Sequence, residues 1–319
     1  MSYTNIISYC CGSYERGNFG GVARYDYQIK LVFPNRIFFQ GPEEKHKLLN
    51  YLKECKKPLV ITDNHLSMDI PNQYDVILVH HGCAQITAER NPDWEEPWKS
   101  LCTEGQRKML DYRDPKNTKI VSISKACTDD FTRIFQEKYT RFRRFDILHS
   151  SELDEERYKN SFNKTPIILG NWGHVKKGKR IIPTLKENLK DFEFKQLKVS
   201  LEKNKYQKFN DEKQDIYLSS DIFLQISNSE GNSYATLDAL LCGLVVVASN
   251  VGLFYGDVPD DCYIKMDWRR NDDWRYVKKC LEKGWANKEI LSRNARKWYM
   301  ENCRFIEWKK KTITNFCES

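Results

Sequence analysis

The chain has 319 residues, 40% of them hydrophobic, which is enough for one large core or two ordinary ones, so two domains are expected. Its 52 basic and 44 acidic residues leave a net charge of +8, which favours an anionic partner such as a nucleotide, nucleic acid or a membrane surface without choosing among them. The start lacks a basic region followed by an apolar run, nothing later approaches the ~20 apolar residues that span a bilayer, and the 11 cysteines form no CxxC pair, which argues against secreted, membrane-spanning and zinc-finger classes.

In chain order the elements alternate as in an α/β protein. TNIISYCC reads as a first strand, GNFGG as a tight turn, and VARYDYQIKLV as the opening of a helix. RIFFQ is a strand, PEEKHKLLNYLKECKK a helix with apolar residues at helical spacing, and PLVITD and YDVILVHHG two further strands. The tryptophan- and proline-rich region 84–117 yields one helix, around Ser100 to Tyr112. KIVSISK leads into the helix ACTDDFTRIFQEKY, and RRFDILHSS is one more strand. A polar stretch near ELDEERYKNSFNKTP ends this series, so the boundary is expected between about Ser150 and Thr165, within about 4 residues. The second series is PIILGNWG (strand), KRIIPTLKENLKD (helix), FEFKQLKVS and DIFLQIS (strands), SEGNSYATLDALLCG (helix), LVVVAS (a buried strand) and CYIKM (a last strand). Helices fill 272–319.

The segment SNSEGNSYATLDALLCGLVVVAS carries the chemistry. Glu230 and Gly231 fall where a strand gives way to a helix, and a helix N-terminus with a closely approaching glycine backbone is a natural seat for phosphate. Asp238 lies on the same helix, and the helical part of the interval covers roughly 10–12 Å, about the separation of sugar and ribose across a diphosphate. One acid on the hydroxyls at each end of a nucleotide sugar is therefore one reading. The other is that Glu230 caps the helix and Asp238 is a solvated surface charge.

This segment resembles the signature of retaining glycosyltransferases of the GT-B fold, in particular the large family 4: an acid, Gly, a short helix, a second Glu, then CG and a valine-rich strand. Asp238 stands where the family has its second Glu. GNFGGVARY is similar to the family's glycine loop, VILVHHG to its strand ending in His-Gly, and KIVSISKACTDDF to its Val-Ser-helix step. FDILHSSELDEERY is similar to the segment that enters the linker, IILGNWGHVKKGKR to the Gly-Arg-Leu…Lys-Gly segment, and CRFIEWKKKTITNF to the returning terminal helix. The family's arginine aligns with Asn171.

The resemblance implies two Rossmann-like, doubly wound α/β domains facing a cleft: 1–158 on the acceptor side and 159–319 holding the donor, with a helix at about 304–319 returning to the first. It implies transfer of a hexosyl or pentosyl group from a UDP- or GDP-sugar to a glycan, glycoprotein or lipid hydroxyl, with retention, and no cofactor. Glu230, Lys177 and His81 would be catalytic. Gly20, Gly21, Lys176, Arg180, Gly231, Asn232, Ser233 and Asp238 would bind the donor. A solvated basic turn is the plain alternative for Lys177, and a hydrogen-bonded structural histidine for His81. No metal ligands are expected, since Asp129-Asp130, Asp260-Asp261 and Asp272-Asp273 read as helix or loop surface. A dehydrogenase is disfavoured by the missing GxGxxG, and nucleic acid by the absence of a binding motif. Cytoplasmic location is expected, including a virus-encoded enzyme in a host cytosol. The basic run Arg141 to Arg144 is a candidate for peripheral membrane contact or a solvated face.

Overall fold

A computed structural model describes residues 3–18, 20–173, 175–198 and 206–317. The chain divides into two compact units, Met1–Leu148 with Ile306–Ser319, and His149–Phe305. The first is built on β1 (Asn5–Cys10), β2 (Ile37–Gln40), β3 (Pro58–Asp63), β4 (Asp75–His80), β5 (Thr118–Ser122) and β6 (Arg143–Asp146), in the order β2-β1-β3-β4-β5-β6. Every described pairing in it is parallel. Parallel strands covered by helices lose water on both faces, which is why β3 is buried along its whole length. Ile7, Val60, Leu78 and Ile120 meet Leu48, Leu52 and Phe131 in one core, each side chain contributing about 1.5–3 kcal/mol by its removal from water. The terminal helix Phe305–Cys317 packs here through buried Trp308, whose ring meets Tyr25 edge-on at 6.0 Å, and through buried Phe316.

The second unit holds β7 (Ile167–Gly170), β8 (Glu193–Gln196), β9 (Ile222–Gln225), β10 (Val245–Ser249) and β11 (Ile264–Met266), parallel and in the order β11-β10-β9-β7-β8. Ile168, Ile222, Leu224, Val245 and Val247 pack against Leu185, Val277 and Leu281. Of the strand expected over 192–200, only Glu193–Gln196 is strand, and 199–200 lie outside the described residues.

One feature differs from the sequence reading. A helix, Tyr206–Leu218, stands where none was expected. Its buried positions Phe209, Asn210, Lys213, Gln214 and Tyr217 keep helical spacing, but three of the five are polar, so the apolar stripe that announces a helix is missing. The compact units divide at Leu148/His149, at the early edge of the range expected for the boundary, and the polar stretch belongs to the second unit. The Gln214 amide donates to the carbonyls of Asp154 and Arg157, both at 2.8 Å, and the Lys159 N–H donates to the Cys242 carbonyl at 2.8 Å. Buried Asp221 accepts from the backbone N–H groups of Asn163 (2.9 Å) and Ile167 (2.8 Å). Among the described residues, no helix is long and apolar enough to cross a membrane.

Candidate active site

At the carboxyl end of β9 the chain runs through a loop before the helix Tyr234–Leu241 begins, with Ser233 as its N-cap. That start is later than expected, so Gly231 and Asn232 are loop residues, and only Ser233 belongs to the helix terminus. The helix ends in a Schellman turn: the Gly243 N–H bonds the Leu240 carbonyl (3.2 Å) and the Leu244 N–H the Ala239 carbonyl (3.0 Å). This is the structural content of the Cys-Gly pair that precedes β10.

The loop is held from three sides. Beneath it, the Ser227 N–H donates to Ser249 Oγ (3.1 Å), Ser249 Oγ donates to Asn271 Oδ1 (2.8 Å), and Asn271 Nδ2 donates to Asn228 Oδ1 (3.0 Å). Gly252 backs it at φ +57, where an added Cβ would stand 2.8 Å from the Gly231 carbonyl oxygen and 2.9 Å from Glu230 Cβ. Both the left-handed backbone and the close approach require glycine. On the third side, the turn after β7 leans on the loop. A Cβ at Gly178 would meet Ile226 Cβ at 2.7 Å, and the Asn228 N–H lies 3.4 Å from the Lys176 carbonyl.

This scaffolding brings Lys177 and Glu230 together. Lys177 Nζ is 2.9 Å from Glu230 Oε1, which also accepts from Ser227 Oγ at 2.8 Å. A cavity of about 10 Å3, room for a single water, is lined by both residues together with Asn171, Trp172, Ser233 and Ala235. Trp172 is fixed there by its indole N–H, which donates to the Leu224 carbonyl at 3.1 Å. Lys176 is half-buried beside Lys177, while Arg180 and Asn171 are exposed. A cation and a carboxylate at the carboxyl ends of parallel strands, next to a helix N-terminus, form a polar site suited to a phosphate on one side and hydroxyls on the other.

Asp238 is used differently from the sequence reading. It is buried, Oδ1 accepts from Ser151 Oγ at 2.6 Å, and Oδ2 lies 3.4 Å from Lys213 Nζ. Lys213 also reaches Glu152 at 3.8 Å, and both of these side chains are buried. Both oxygens of the carboxylate assigned to ribose thus have partners inside the unit. Asp238 instead ties the segment that enters this unit to the helix Tyr206–Leu218. Nor is it the solvated surface charge of the plainer reading.

In the first unit, His81 follows β4, and its Nε2 is 3.2 Å from Oδ1 of Asp63 at the end of β3. Asp63 Oδ2 accepts from the Cys11 N–H at 3.2 Å, and the Tyr25 ring meets the imidazole edge-on at 5.3 Å. His80 points into the core, stacked on Phe131 at 3.8 Å, and burial followed by the neighbouring His81 charge pushes it down to about 3, so it stays neutral. Gly20 is the exposed N-cap of the helix Gly21–Val32, at φ +113, and Phe19 of the same turn lies outside the described residues. Asp63, which touches His81, and Ser227 and Gly252, which touch Glu230, were not named as candidates by motif reasoning. For Gly252 alone a signal existed, the glycine in the loop after the valine-rich strand.

The acid pairs lie at the surface in ordinary contacts. Asp129 pairs with Lys125, Asp260 with Lys265 (3.1 Å), and Asp273 caps a helix by accepting from the Tyr276 N–H (3.1 Å). Among the described residues, no group of three or more His, Cys, Asp or Glu side chains is placed to hold a metal ion.

No protein-family model and no curated protein matches the chain. Solved structures do resemble it. Sucrose-phosphate synthase from Thermosynechococcus elongatus aligns over 98% of this chain and 98% of its own, with a TM-score of 0.74 at 12% identity. HepE from Anabaena, solved in complex with UDP and glucose, aligns over 97% and 98%, with a TM-score of 0.67 at 12% identity. WaaG, a glycosyltransferase involved in lipopolysaccharide biosynthesis, aligns over 98% and 100%, with a TM-score of 0.63 at 14% identity. At such identities the likeness shows the fold: two parallel-sheet α/β domains of the kind found in GT-B glycosyltransferases.

Proposed function

We propose that this chain is a glycosyltransferase that moves a sugar from a nucleotide-sugar donor, UDP- or GDP-linked, to an acceptor hydroxyl with retention of configuration. The observation that carries the reading is the Lys177–Glu230 pair, 2.9 Å apart at the carboxyl ends of a parallel sheet and fixed from behind by Gly178 and Gly252. In the absence of donor the two side chains neutralise each other. With donor, the Lys177 ammonium turns to the diphosphate, assisted by Lys176, Arg180 and the backbone at Gly231, Asn232 and Ser233, and Glu230 accepts from sugar hydroxyls. The acceptor oxygen attacks the anomeric carbon on the face from which the diphosphate departs. The bonding pair goes to the leaving phosphate oxygen, which takes the acceptor's proton. Stabilising that developing charge is the main catalytic contribution, and no enzyme nucleophile is required. Within the first unit, Asp63 orients His81, and the family resemblance assigns His81 to sugar and Gly20 and Gly21 to phosphate.

The test is incubation with UDP- and GDP-sugars and an acceptor panel, following nucleotide release and the anomeric configuration of the product by NMR. Transfer that persists in excess EDTA supports a metal-independent phosphate site, and transfer restored only by manganese refutes it. A second reading, a nucleotide-sugar-binding module with weakened turnover, is favoured by the burial of Asp238. It predicts donor binding without nucleotide release for any acceptor.

A further inference from the structure

The second unit carries another cavity, away from the Lys177–Glu230 site. Its volume is about 460 Å3, within the range of small-molecule pockets, and it lies between the segment Tyr158–Phe162 and the helix Lys288–Asn302. The neighbouring backbone places it at the amino-terminal edge of the sheet. The Lys159 N–H bonds the Cys242 carbonyl ahead of β10, and Lys159 Nζ is 3.1 Å from Asp221, which immediately precedes β9. Lys177 and Glu230 stand at the opposite, carboxyl edge.

Its charge is one-sided. Arg293, Arg296 and Lys297 line it from one helix face, at positions i, i+3 and i+4, an arrangement that costs the isolated helix a few tenths of a kcal/mol per like-charged pair. Among the described residues, Arg293 has no ion pair. Arg296 has no carboxylate partner either: its guanidinium donates to the carbonyls of Leu241 and Glu155, both backbone oxygens, and stacks on the Tyr158 ring at 3.9 Å. Lys297 reaches Glu301 only at 3.9 Å. The single carboxylate in the lining, Glu289, is 3.2 Å from Lys288. A half-buried guanidinium is locked in place by carbonyls and an aromatic ring, with Arg293 one helical turn before it and Lys297 next to it in sequence. Nearby Glu155 and Glu156 act on it without an ion pair, so the three cations still outnumber the carboxylate of the lining. The opposite wall is aromatic: Tyr158 is 49% exposed, and Phe162 packs edge-on against Trp285.

We infer that this cavity is a second binding site, for a phosphate ester whose apolar or aromatic body lies against Tyr158 and Phe162 while its phosphate meets Arg293, Arg296 and Lys297. Arg293, whose guanidinium has no ion pair among the described residues, can meet the phosphate in bidentate geometry, while Arg296, held on carbonyls, contributes its charge. The ester is either a soluble phosphorylated metabolite or a lipid headgroup, and the same chemistry serves both.

The test uses the full chain and phenyl phosphate, which joins a ring to a phosphate, measured by calorimetry alongside cosedimentation with phosphatidylcholine vesicles with and without phosphatidic acid. Three proteins are compared: wild type, Lys177→Ala, and the double variant Arg293→Gln/Lys297→Gln. Arg296 is left intact because it holds backbone carbonyls. Binding that survives Lys177→Ala and weakens about tenfold or more in the double variant supports the site. Phenyl phosphate binding alone assigns it to a soluble ester, and cosedimentation that needs phosphatidic acid and is lost in the double variant assigns it to a lipid headgroup. Absence of both kinds of binding, or binding lost in Lys177→Ala and unchanged in the double variant, overturns the inference.

Discussion

Replacing Glu230 by Gln removes one charge from the proposed donor site and changes little else. The carboxylate touches Lys177 (2.9 Å) and Ser227 Oγ (2.8 Å), and a carboxamide oxygen can still accept from both. The loop itself is held by Ser249, Asn271 and Gly252, none of which the substitution disturbs. The ion pair is partly solvated, with side chains 28% and 14% exposed, so its contribution to stability is about 0–1 kcal/mol. For a unit of this size that is a shift of at most about 4 °C in Tm. A charge-assisted hydrogen bond to a sugar hydroxyl in the transition state is worth about 1.5–3 kcal/mol. Transfer should then fall roughly ten- to 150-fold. The assay is nucleotide release under saturating donor and acceptor, paired with a thermal melt of the same preparation. An unchanged rate refutes the donor assignment, and a melt lowered by ten degrees or more would mean that Glu230 is a structural residue instead.

Further outcomes follow from the same geometry. Lys177→Ala should weaken UDP binding about tenfold, more than Lys176→Ala does, while leaving uridine affinity nearly unchanged, because a cation near a diphosphate discriminates by charge; equal losses for UDP and uridine in a titration would place the phosphate elsewhere. Gly252→Ala imposes a left-handed backbone on an L-residue, at about 1–2 kcal/mol, and pushes its Cβ toward the Gly231 carbonyl. Its Tm should fall by roughly 2–8 °C, together with activity, and a variant with wild-type melting and turnover would show that the loop is not held as described. Burial alone would raise the Asp221 pKa, but the N–H groups of Asn163 and Ile167, the Asn163 amide and Lys159 outweigh it and hold the carboxyl below its usual range. A depressed folded pKa means that this stabilisation is complete above about pH 4 and is lost as the pH falls further. Urea midpoints measured from about pH 5 to pH 3 should therefore drop less steeply for Asp221→Asn than for wild type, and parallel curves would contradict the linkage.

What the amino-acid order determined by itself is what local chemistry can encode. Strands such as PLVITD and VVVAS are read directly, because a parallel strand buried on both faces must be a continuous apolar run. Glu230 and Gly231 are legible as candidates because they stand at a strand end, where parallel sheets place their ligands, and Lys177 is a candidate through the family resemblance; that Lys177 and Glu230 lie 2.9 Å apart is a fact of the fold. Tertiary structure decided the rest. The helix Tyr206–Leu218 was invisible because its buried face carries Asn210, Lys213 and Gln214, whose partners lie in distant segments such as Asp154 and Asp238. The same contacts explain Asp238: on spacing it is a ligand or a surface charge, and only the approach of Ser151 and Lys213 makes it a buried tie. The role of Gly252 and the guanidinium held beside Tyr158 belong to this class too, since each depends on two segments far apart in sequence meeting at a few ångströms. A one-dimensional pattern records which groups are present, and the desolvation and pairing that set their chemistry are properties of the packed chain.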